Sequence, residues 1–301
     1  MIRPGELVIT DDNYVEHLGD PVIDGERRGR GLIPRDYNEC PRGSVPHVHA
    51  VDFPLIPRSE WAERITERVA LKAQLSDLRL EQGWNSLDQN GQGYCWAYSS
   101  TACVHYLRAA MGLPHVRLSA HAVACVIKNF RDQGGWGCHS LEFITERGVP
   151  SVEFWAEKSM SRQYDKPETW ENAKLYRVTE AWVDLVPAVY SRKLTFDQVC
   201  TANLCGIPTV DDYNWWGHSV CGVDVVDGVA QWLKTRCGVS GKLLTLAAFE
   251  RYWGVNTPTT GYARRIQNSW GNSWSERGLG VLTGNKAIPD GGAAPRVAIA
   301  A

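Results

Sequence analysis

The chain has 301 residues, 44% of them hydrophobic, so it is long enough for one two-lobed domain with a sizeable core. Its 32 basic and 34 acidic residues give a net charge of −2, which creates no field that would attract nucleic acid or an acidic membrane. No apolar run approaches the roughly 20 residues that span a bilayer, and the first residues lack a signal-peptide core. We expect no nucleic-acid or membrane partner, and a chain that stays in the cytoplasm or is packaged from it, for example into a virion.

The nine cysteines are an odd number, and they contain no Cys-x-x-Cys pair. This pattern argues against a disulfide framework and against a zinc ribbon. We therefore expect nine free thiols in a reducing compartment, with no metal and no cofactor. Two groups have metal-ligand chemistry but no four-ligand spacing, and loop or core packing accounts for both: Cys40 with His47 and His49, and His121 with Cys125.

Residues 1 to about 58 are rich in proline and glycine and have weak periodicity, which predicts an extended arm. The basic cluster from Arg27 to Arg30 is expected to be a solvated part of this arm. A helix over Ser59 to Leu80 follows, capped by Ser59 and running to Gly83. Its predicted apolar face consists of Trp61, Ile65, Val69, Leu75 and Leu78.

The main domain is predicted to cover residues 84–301, after an arm and helix over residues 1–83. Its helical lobe, about 84–174, should contain helices over Cys95–Arg108, Ser119–Phe130 and Ser140–Arg147. Its β-rich lobe, about 175–290, should contain one helix over Asp197–Leu204 and strands over Leu175–Val183, Ile207–Val210, His218–Val226, Tyr262–Gln267 and Gly278–Leu282.

The stretch Gln89–Ser99 places Cys95 where a glycine-containing turn leads into an apolar helix. A helix N-terminus presents unpaired N–H groups and a positive dipole, which favour a thiolate and can hold an oxyanion. Taken alone, a buried cysteine at the start of a core helix is more often a packing residue.

Two later residues supply the partners that a nucleophilic cysteine needs. His218 begins an apolar strand, and Asn268 ends another, shortly before Trp270 and Trp274. Cysteine catalysis requires a base for the thiol proton and a third group that orients the base. Each residue alone is more often structural, but a Cys, a His and an Asn in these settings together favour catalysis.

These segments resemble the papain-like cysteine peptidases. Gln89 to Ser99 is similar to the family's nucleophile motif, His218 to Val223 to its histidine strand, and Asn268 to Trp274 to its Asn-Ser-Trp-Gly-x-x-Trp motif. Weaker similarities lie at Leu118–Ser119 with Cys125, and from Gly134 to Gly148. The resemblance spans about 84–287 and implies an α+β, papain-like fold: a helical lobe plus a β-barrel-like lobe, with an N-terminal extension.

The resemblance also implies roles. Cys95 would form a thiolate–imidazolium pair with His218, Asn268 would steady the imidazole ring, and the Gln89 amide with the Cys95 N–H would form the oxyanion hole. Trp270 would shield the His218–Asn268 hydrogen bond. Gly135 would offer backbone hydrogen bonds to an extended peptide, and Trp136 either borders a side-chain pocket or packs between the lobes.

The chain departs from the family pattern at several positions. Gln92 replaces a cysteine of the nucleophile loop, and Asp132 and Gln133 stand where its disulfide partner is expected, so both halves of one bridge are missing. His218 and Asn268 are fifty positions apart, which implies an insertion over about 227–261. Gly217 replaces the usual Asp or Asn before the histidine, which removes no essential role.

The expected function is therefore hydrolysis of a peptide or protein substrate by a cysteine peptidase. The alternative is a papain-fold structural or binding component of a larger assembly, such as a virion, with catalysis lost or incidental. Acyl transfer to an amine is a third possibility. For the arm, the sequence favours an attached segment that packs on the lobes or docks a protein partner over a removable inhibitory pro-region.

Overall fold

The computed structural model describes residues 1–35, 47–49, 54–178, 182–185, 192–227, 261–296 and 298. The helices are α1 (Trp61–Ala70), α2 (Leu75–Gln82), α3 (Cys95–Ala110), α4 (Ala120–Ile127), α5 (Gly137–Arg147), α6 (Pro167–Ala173) and α7 (Arg192–Leu204). The strands are β1 (Leu7–Ile9), β2 (Val22–Ile23), β3 (Glu26–Arg27), β4 (His47–His49), β5 (Trp182–Leu185), β6 (Thr209–Tyr213), β7 (His218–Val226), β8 (Ala263–Gln267), β9 (Leu279–Leu282) and β10 (Gly291–Ala294). Within these ranges, no helix is long and apolar enough to cross a membrane.

Eight strands form one sheet in the order β1-β9-β8-β7-β6-β10-β5-β4. β7 lies inside it, antiparallel to β6 and β8. All nine residues of β7 are buried, which explains its continuous apolar run: α3 packs against it and so does α7. Among the described strands the ladder ends at β1 and β4 without closing into a barrel.

The helix α3 is the centre of the helical lobe, and all but the last of its 16 residues are buried. It packs against α2, α4 and α5 on one side and against the sheet on the other. Helices and a mainly antiparallel sheet are thus largely separated, so the predicted α+β class with a helical lobe and a β-rich lobe is confirmed. The site described below lies where α3 meets β7.

Several predicted elements agree with the structure. α3, α4 and α5 lie at the predicted positions, with α5 beginning three residues earlier than expected, and α7 begins five residues before the predicted Asp197. β7 has the predicted bounds, and β8 and β9 each begin one residue late.

The single helix expected over Ser59–Leu80 is wrong. α1 ends at Ala70, Lys72 adopts a left-handed backbone with φ 51°, and α2 begins at Leu75. The start of α2 is fixed from outside, because the Leu75 N–H donates to Asp224 Oδ1 at 3.0 Å and the Ser76 hydroxyl bonds the same carboxylate. Ser59 lies in a 3₁₀ turn and does not cap α1.

The strand expected over Leu175–Val183 is wrong at its start, because residues Lys174–Tyr176 form a 3₁₀ turn. Val178 makes a single bridge to Ala298, and β5 covers Trp182–Leu185, while residues 179–181 lie outside the described residues. α6 was not expected, although Pro167 at its first turn is a helix-start signal. Most of the inferred insertion, residues 228–260, lies outside the described residues.

The arm joins the main fold instead of lying on its surface. β1 pairs in parallel with β9 and so becomes an edge of the sheet. Behind it, the Arg265 guanidinium bonds Glu6 at 2.5 Å and Asp224 at 3.2 Å, and all three side chains are buried. A buried ion pair that loses one partner leaves an uncompensated charge, so this contact fixes the start of the arm.

Candidate active site

The thiol of Cys95 lies at the first residue of α3, as the turn-to-helix pattern predicts. Its side chain is fully buried, with the backbone of Ser219, Gly31 and Trp96 hydrogen-bonding the sulfur. Ser219 follows His218 on β7, so the Cys95 thiol and the histidine strand meet here. Gly31 belongs to the arm.

His218 and Asn268 are brought together by the antiparallel pairing of β7 with β8. His218 begins β7 and Asn268 follows the last residue of β8, which places both at the same end of the pair. His218 Nε2 lies 2.8 Å from Asn268 Oδ1. His218 Nδ1 is buried and has no hydrogen-bond partner among the described residues, so this nitrogen is available to the thiol.

Aromatic rings cover this histidine. The Trp270 ring stacks on His218 with centroids 4.6 Å apart and planes at 27°, and the Trp216 ring meets it edge-on at 5.0 Å. Trp270 is 2% exposed, so its ring keeps water from the His218–Asn268 hydrogen bond. The role of Trp216 was missed in the sequence, where it is one of thirteen tryptophans.

The Gln89 side chain is oriented by a residue that the sequence analysis did not single out. The Ser269 hydroxyl donates to Gln89 Oε1 at 2.5 Å, which fixes the amide so that its Nε2 is the donor left for a ligand. That Nε2 donates to the Gly29 carbonyl at 3.0 Å and to the Gln92 carbonyl at 2.7 Å. A carbonyl of the arm therefore occupies the donor predicted for an oxyanion.

The arm crosses the site as an extended strand, residues 29–33. The Gly29 carbonyl also accepts from Trp270 Nε1 at 3.0 Å. The Gly135 N–H donates to Gly31 O at 2.9 Å, and the Ile33 N–H donates to Gly135 O at 3.3 Å. Gly135 thus makes the backbone bonds predicted for a peptide ligand, and the peptide it holds is the arm. On the opposite wall the Leu32 N–H donates to Gly217 O at 3.1 Å.

Two arginines of the basic cluster anchor this segment, so the expectation of a solvated cluster is wrong for Arg28 and Arg30, whereas Arg27 is exposed. Arg28 has a side chain only 4% exposed, and its Nη1 bonds Asn90 Oδ1 at 3.0 Å. Arg30 donates from Nε to Asp20 at 2.8 Å and from Nη1 to the Trp216 carbonyl at 2.7 Å. Both guanidinium groups find acceptors at the cleft, which a sequence pattern cannot show.

Burial under the arm shifts the pKa values of Cys95 and His218 in opposite directions. It raises the pKa of the Cys95 thiol to about 12, against the backbone hydrogen bonds that favour the thiolate. It lowers the pKa of His218 to about 3, although the bond to Asn268 opposes this. In this closed form burial thus favours the neutral thiol and the neutral imidazole over the thiolate–imidazolium pair.

Trp136, the remaining predicted contact residue, is half-buried beside Gly135 and meets the His139 ring edge-on at 4.8 Å. Of the weaker metal candidates, His121 Nδ1 lies 2.5 Å from the Tyr98 hydroxyl, and Cys125 lies near the Ser159 carbonyl at 3.9 Å. The described residues contain no group of three or more His, Cys, Asp or Glu that could hold a metal. Cys40 and the side chains of His47 and His49 lie outside the described residues.

Comparison with solved structures identifies the fold. Xylellain, a cysteine protease from Xylella fastidiosa, superposes with a TM-score of 0.53 at 16% identity, covering 90% of this chain and 96% of that one. Digestive procathepsin L 3 of Tenebrio molitor gives 0.52 at 14% identity, covering 90% and 76%. Recombinant stem bromelain precursor gives 0.52 at 16%, covering 95% and 89%.

The chain has the papain-like cysteine-protease fold. No protein-family model matches the sequence, and no curated protein matches it either. At 14–16% identity these structures establish the fold of the chain, and its chemistry has to be argued from the residues of its own site.

Proposed function

We propose that the chain is a cysteine peptidase that hydrolyses peptide bonds in a peptide or protein substrate. The observation that carries the proposal is the His218–Asn268 pair, 2.8 Å apart through Nε2, whose free Nδ1 lies at the end of β7 that meets the start of α3. A scaffold protein has no need for a buried imidazole held by an amide beside a helix N-terminal thiol.

The chemistry follows from these positions. With the cleft open to substrate, the proton of the Cys95 thiol passes to His218 Nδ1, and the sulfur attacks the carbonyl carbon of the substrate. The Gln89 Nε2 and the Cys95 N–H stabilise the oxyanion. His218 then protonates the departing amine, and water, deprotonated by the same nitrogen, releases the acyl group. Asn268 keeps the ring oriented through both steps.

The arm makes the described form latent. Gly29 occupies the Gln89 donor, Gly31 covers the thiol, and burial favours the neutral forms of Cys95 and His218 beneath them. The sequence favoured an arm without an inhibitory role, but these contacts support the inhibitory alternative. A peptide substrate needs the same donors at Gln89 and Gly135, so the arm and a substrate exclude each other.

A single substitution tests latency without shortening the chain. A Cβ at Gly31 would overlap the Gly93 carbonyl oxygen, so Gly31→Ala should displace the arm, whereas the space around Gly19 is open and Gly19→Ala is its matched control. We expect an epoxide inhibitor of papain-like enzymes to label Cys95 in the Gly31→Ala chain at least about tenfold faster than in wild type, as a docking loss of 1.4 kcal/mol implies.

Cleavage of a peptide library by the same variant decides the function. Hydrolysis that disappears with an added Cys95→Ala change supports the peptidase. Labelling of Cys95 without any cleavage would refute hydrolysis and favour an assembly role, and amide formation with an added amine would favour acyl transfer. Equal labelling of all cysteines would contradict an activated thiol at Cys95.

A further inference from the structure

Behind the catalytic pair, one face of α3 lies against one face of β7. On α3 the residues are four apart, Cys95, Ser99 and Cys103, and on β7 they alternate, Ser219 and Cys221. Four residues of helix rise about 6 Å, and two residues of strand span almost the same length. Successive residues of the helix row therefore lie opposite successive residues of the strand row.

The contacts follow this shared spacing. The hydroxyls of Ser99 and Ser219 lie 2.8 Å apart. The sulfurs of Cys103 and Cys221 lie 3.5 Å apart, although these two residues are separated by 118 positions in the sequence. Farther along α3, the Tyr106 hydroxyl donates to Gln267 at 2.9 Å, and Gln267 pairs with Cys221 across the sheet.

The two sulfurs are therefore held in contact by bonds on either side of them. A disulfide needs a sulfur separation of about 2.05 Å, so the sulfurs must approach by only about 1.5 Å. Of the seven described cysteines, all free thiols, these two form the pair that spans the helical lobe and the sheet.

We infer that Cys103 and Cys221 form a disulfide when the chain folds in the presence of a small organic disulfide. The thiolate of one cysteine attacks the reagent, giving a mixed disulfide and one released thiolate. The second cysteine thiolate then displaces the other half of the reagent, so two electrons pass to the reagent, whose two thiolates take up the two protons. The product bond joins α3 to β7 behind Cys95 and His218.

Folding is the stage at which this exchange proceeds. Both side chains are fully buried in the folded chain, and exchange requires a thiolate that the reagent can reach. Burial also raises the pKa of Cys221 well above its ordinary value, with Cys103 as its nearest thiol neighbour. The same burial would protect the finished bond from reductants. This inference is independent of peptidase activity and revises the expectation of nine free thiols.

The test refolds the full chain from denaturant in a mixture of oxidised and reduced glutathione and maps its cysteines by mass spectrometry without reduction. We expect a chain about 2 Da lighter, with a peptide linking Cys103 to Cys221. Its Tm should exceed that of the chain refolded in reductant by about 5 °C or more, because the bond closes a loop of more than a hundred residues.

Cysteine variants show whether the crosslink involves this pair or other thiols. Cys103→Ala should remove both the crosslink and the Tm difference, while Cys125→Ala, which changes another buried cysteine, should keep both. Folded chain with Cys103 and Cys221 both free, or with crosslinks only elsewhere, would overturn the inference. The same crosslink should be found, without refolding, in chain produced in the bacterial periplasm, where folding takes place under oxidising conditions.

Discussion

Cys95 and His218, the proposed catalytic pair, are enclosed from two sides by segments of different character. Behind it, α3 and β7 meet through fully buried side chains, such as Ser99 with Ser219 at 2.8 Å. In front, residues 29–33 of the arm are held mainly by backbone hydrogen bonds to Gly135 and Gly217 and by arginine contacts, some of them exposed to water. The rear contact belongs to the core, and the front contact is made by a strand with solvent on one side.

This difference indicates which contact can open. Separating α3 from β7 would expose core side chains and take apart the sheet that positions His218. Releasing the arm exchanges protein hydrogen bonds for bonds to water, and each such bond contributes about 0.5–1.5 kcal/mol net. Displacing the arm should therefore convert a neutral, buried pair into an accessible one without unfolding the domain.

The largest effect should come from the nucleophile. In the arm-displaced Gly31→Ala chain, Cys95→Ala should lower peptide hydrolysis by at least about 10⁴-fold, as loss of a nucleophile does in related triads. Cys205→Ala removes an exposed thiol by the same change and should have no effect. Activity that survives in the Cys95→Ala protein would place the chemistry elsewhere.

A smaller effect is expected at Gln89, where one substitution should change turnover and alkylation in opposite directions. Gln89→Ala in the Gly31→Ala chain should lower turnover by about 10²–10³, the usual loss for one oxyanion donor. In the wild-type chain the same change also removes a hydrogen bond to Gly29, so alkylation of Cys95 should become faster. Gln92→Ala, in the same loop, is the control. If Gln89→Ala lowers both turnover and alkylation, the residue supports the loop and does not stabilise the oxyanion.

How far the sequence predicts the site depends on how local each signal is. The Cys95 turn, the His218 strand and the Asn268 segment are short contiguous patterns, and the structure brings all three together with Gln89. The role of Ser269 was not predicted, because it depends on a contact 180 residues distant in sequence.

The arm was predicted least well. Its glycines and arginines match no helical or strand period, and their roles come from the contacts that they make in the cleft. A glycine at position 31 is required by a backbone oxygen of Gly93, and the buried Arg28 donates a hydrogen bond to Asn90, 62 residues distant in sequence. Neither fact can be derived from local pattern, since both are contacts between distant segments.

The next prediction concerns the anchor of the arm. Arg30→Ala removes donors to Asp20, the Trp216 carbonyl and the Leu18 carbonyl. Hydrogen bonds from a charged group contribute about 1.5–3 kcal/mol, so the loss should speed alkylation of Cys95 by about tenfold or more. Arg64→Ala, which removes an exposed i,i+4 pair with Glu60, is the matched control. An unchanged rate would show that the backbone bonds alone hold the arm.

The smallest effect should be the pH dependence of the same anchor. Although partial burial opposes it, hydrogen bonds from Arg27 and Arg30 hold the pKa of Asp20 below its ordinary value of 3.8. Stability from a carboxylate with a depressed pKa is complete above 3.8 and is lost as the pH falls through the folded value. When Cys95 and His218 are both neutral, the thiol carries their one titratable proton, and in the ion pair the imidazole carries it. Forming the ion pair when the arm is released therefore takes up no proton and releases none at these two residues.

We therefore expect the arm to stay closed between pH 5 and 8 and to loosen below about pH 4. The measurement is hydrogen exchange at the Gly29 and Gly31 amides, corrected for intrinsic rates and followed by mass spectrometry. Asp20→Asn should raise exchange about two- to fivefold at pH 6, the range for a partly exposed ion pair, and the difference between wild type and variant should shrink as the pH falls below 3.8. Asp12→Asn, which alters an exposed carboxylate nearby, should leave exchange unchanged. Loosening of the wild-type arm already at pH 6 would show that a group other than Asp20 controls it.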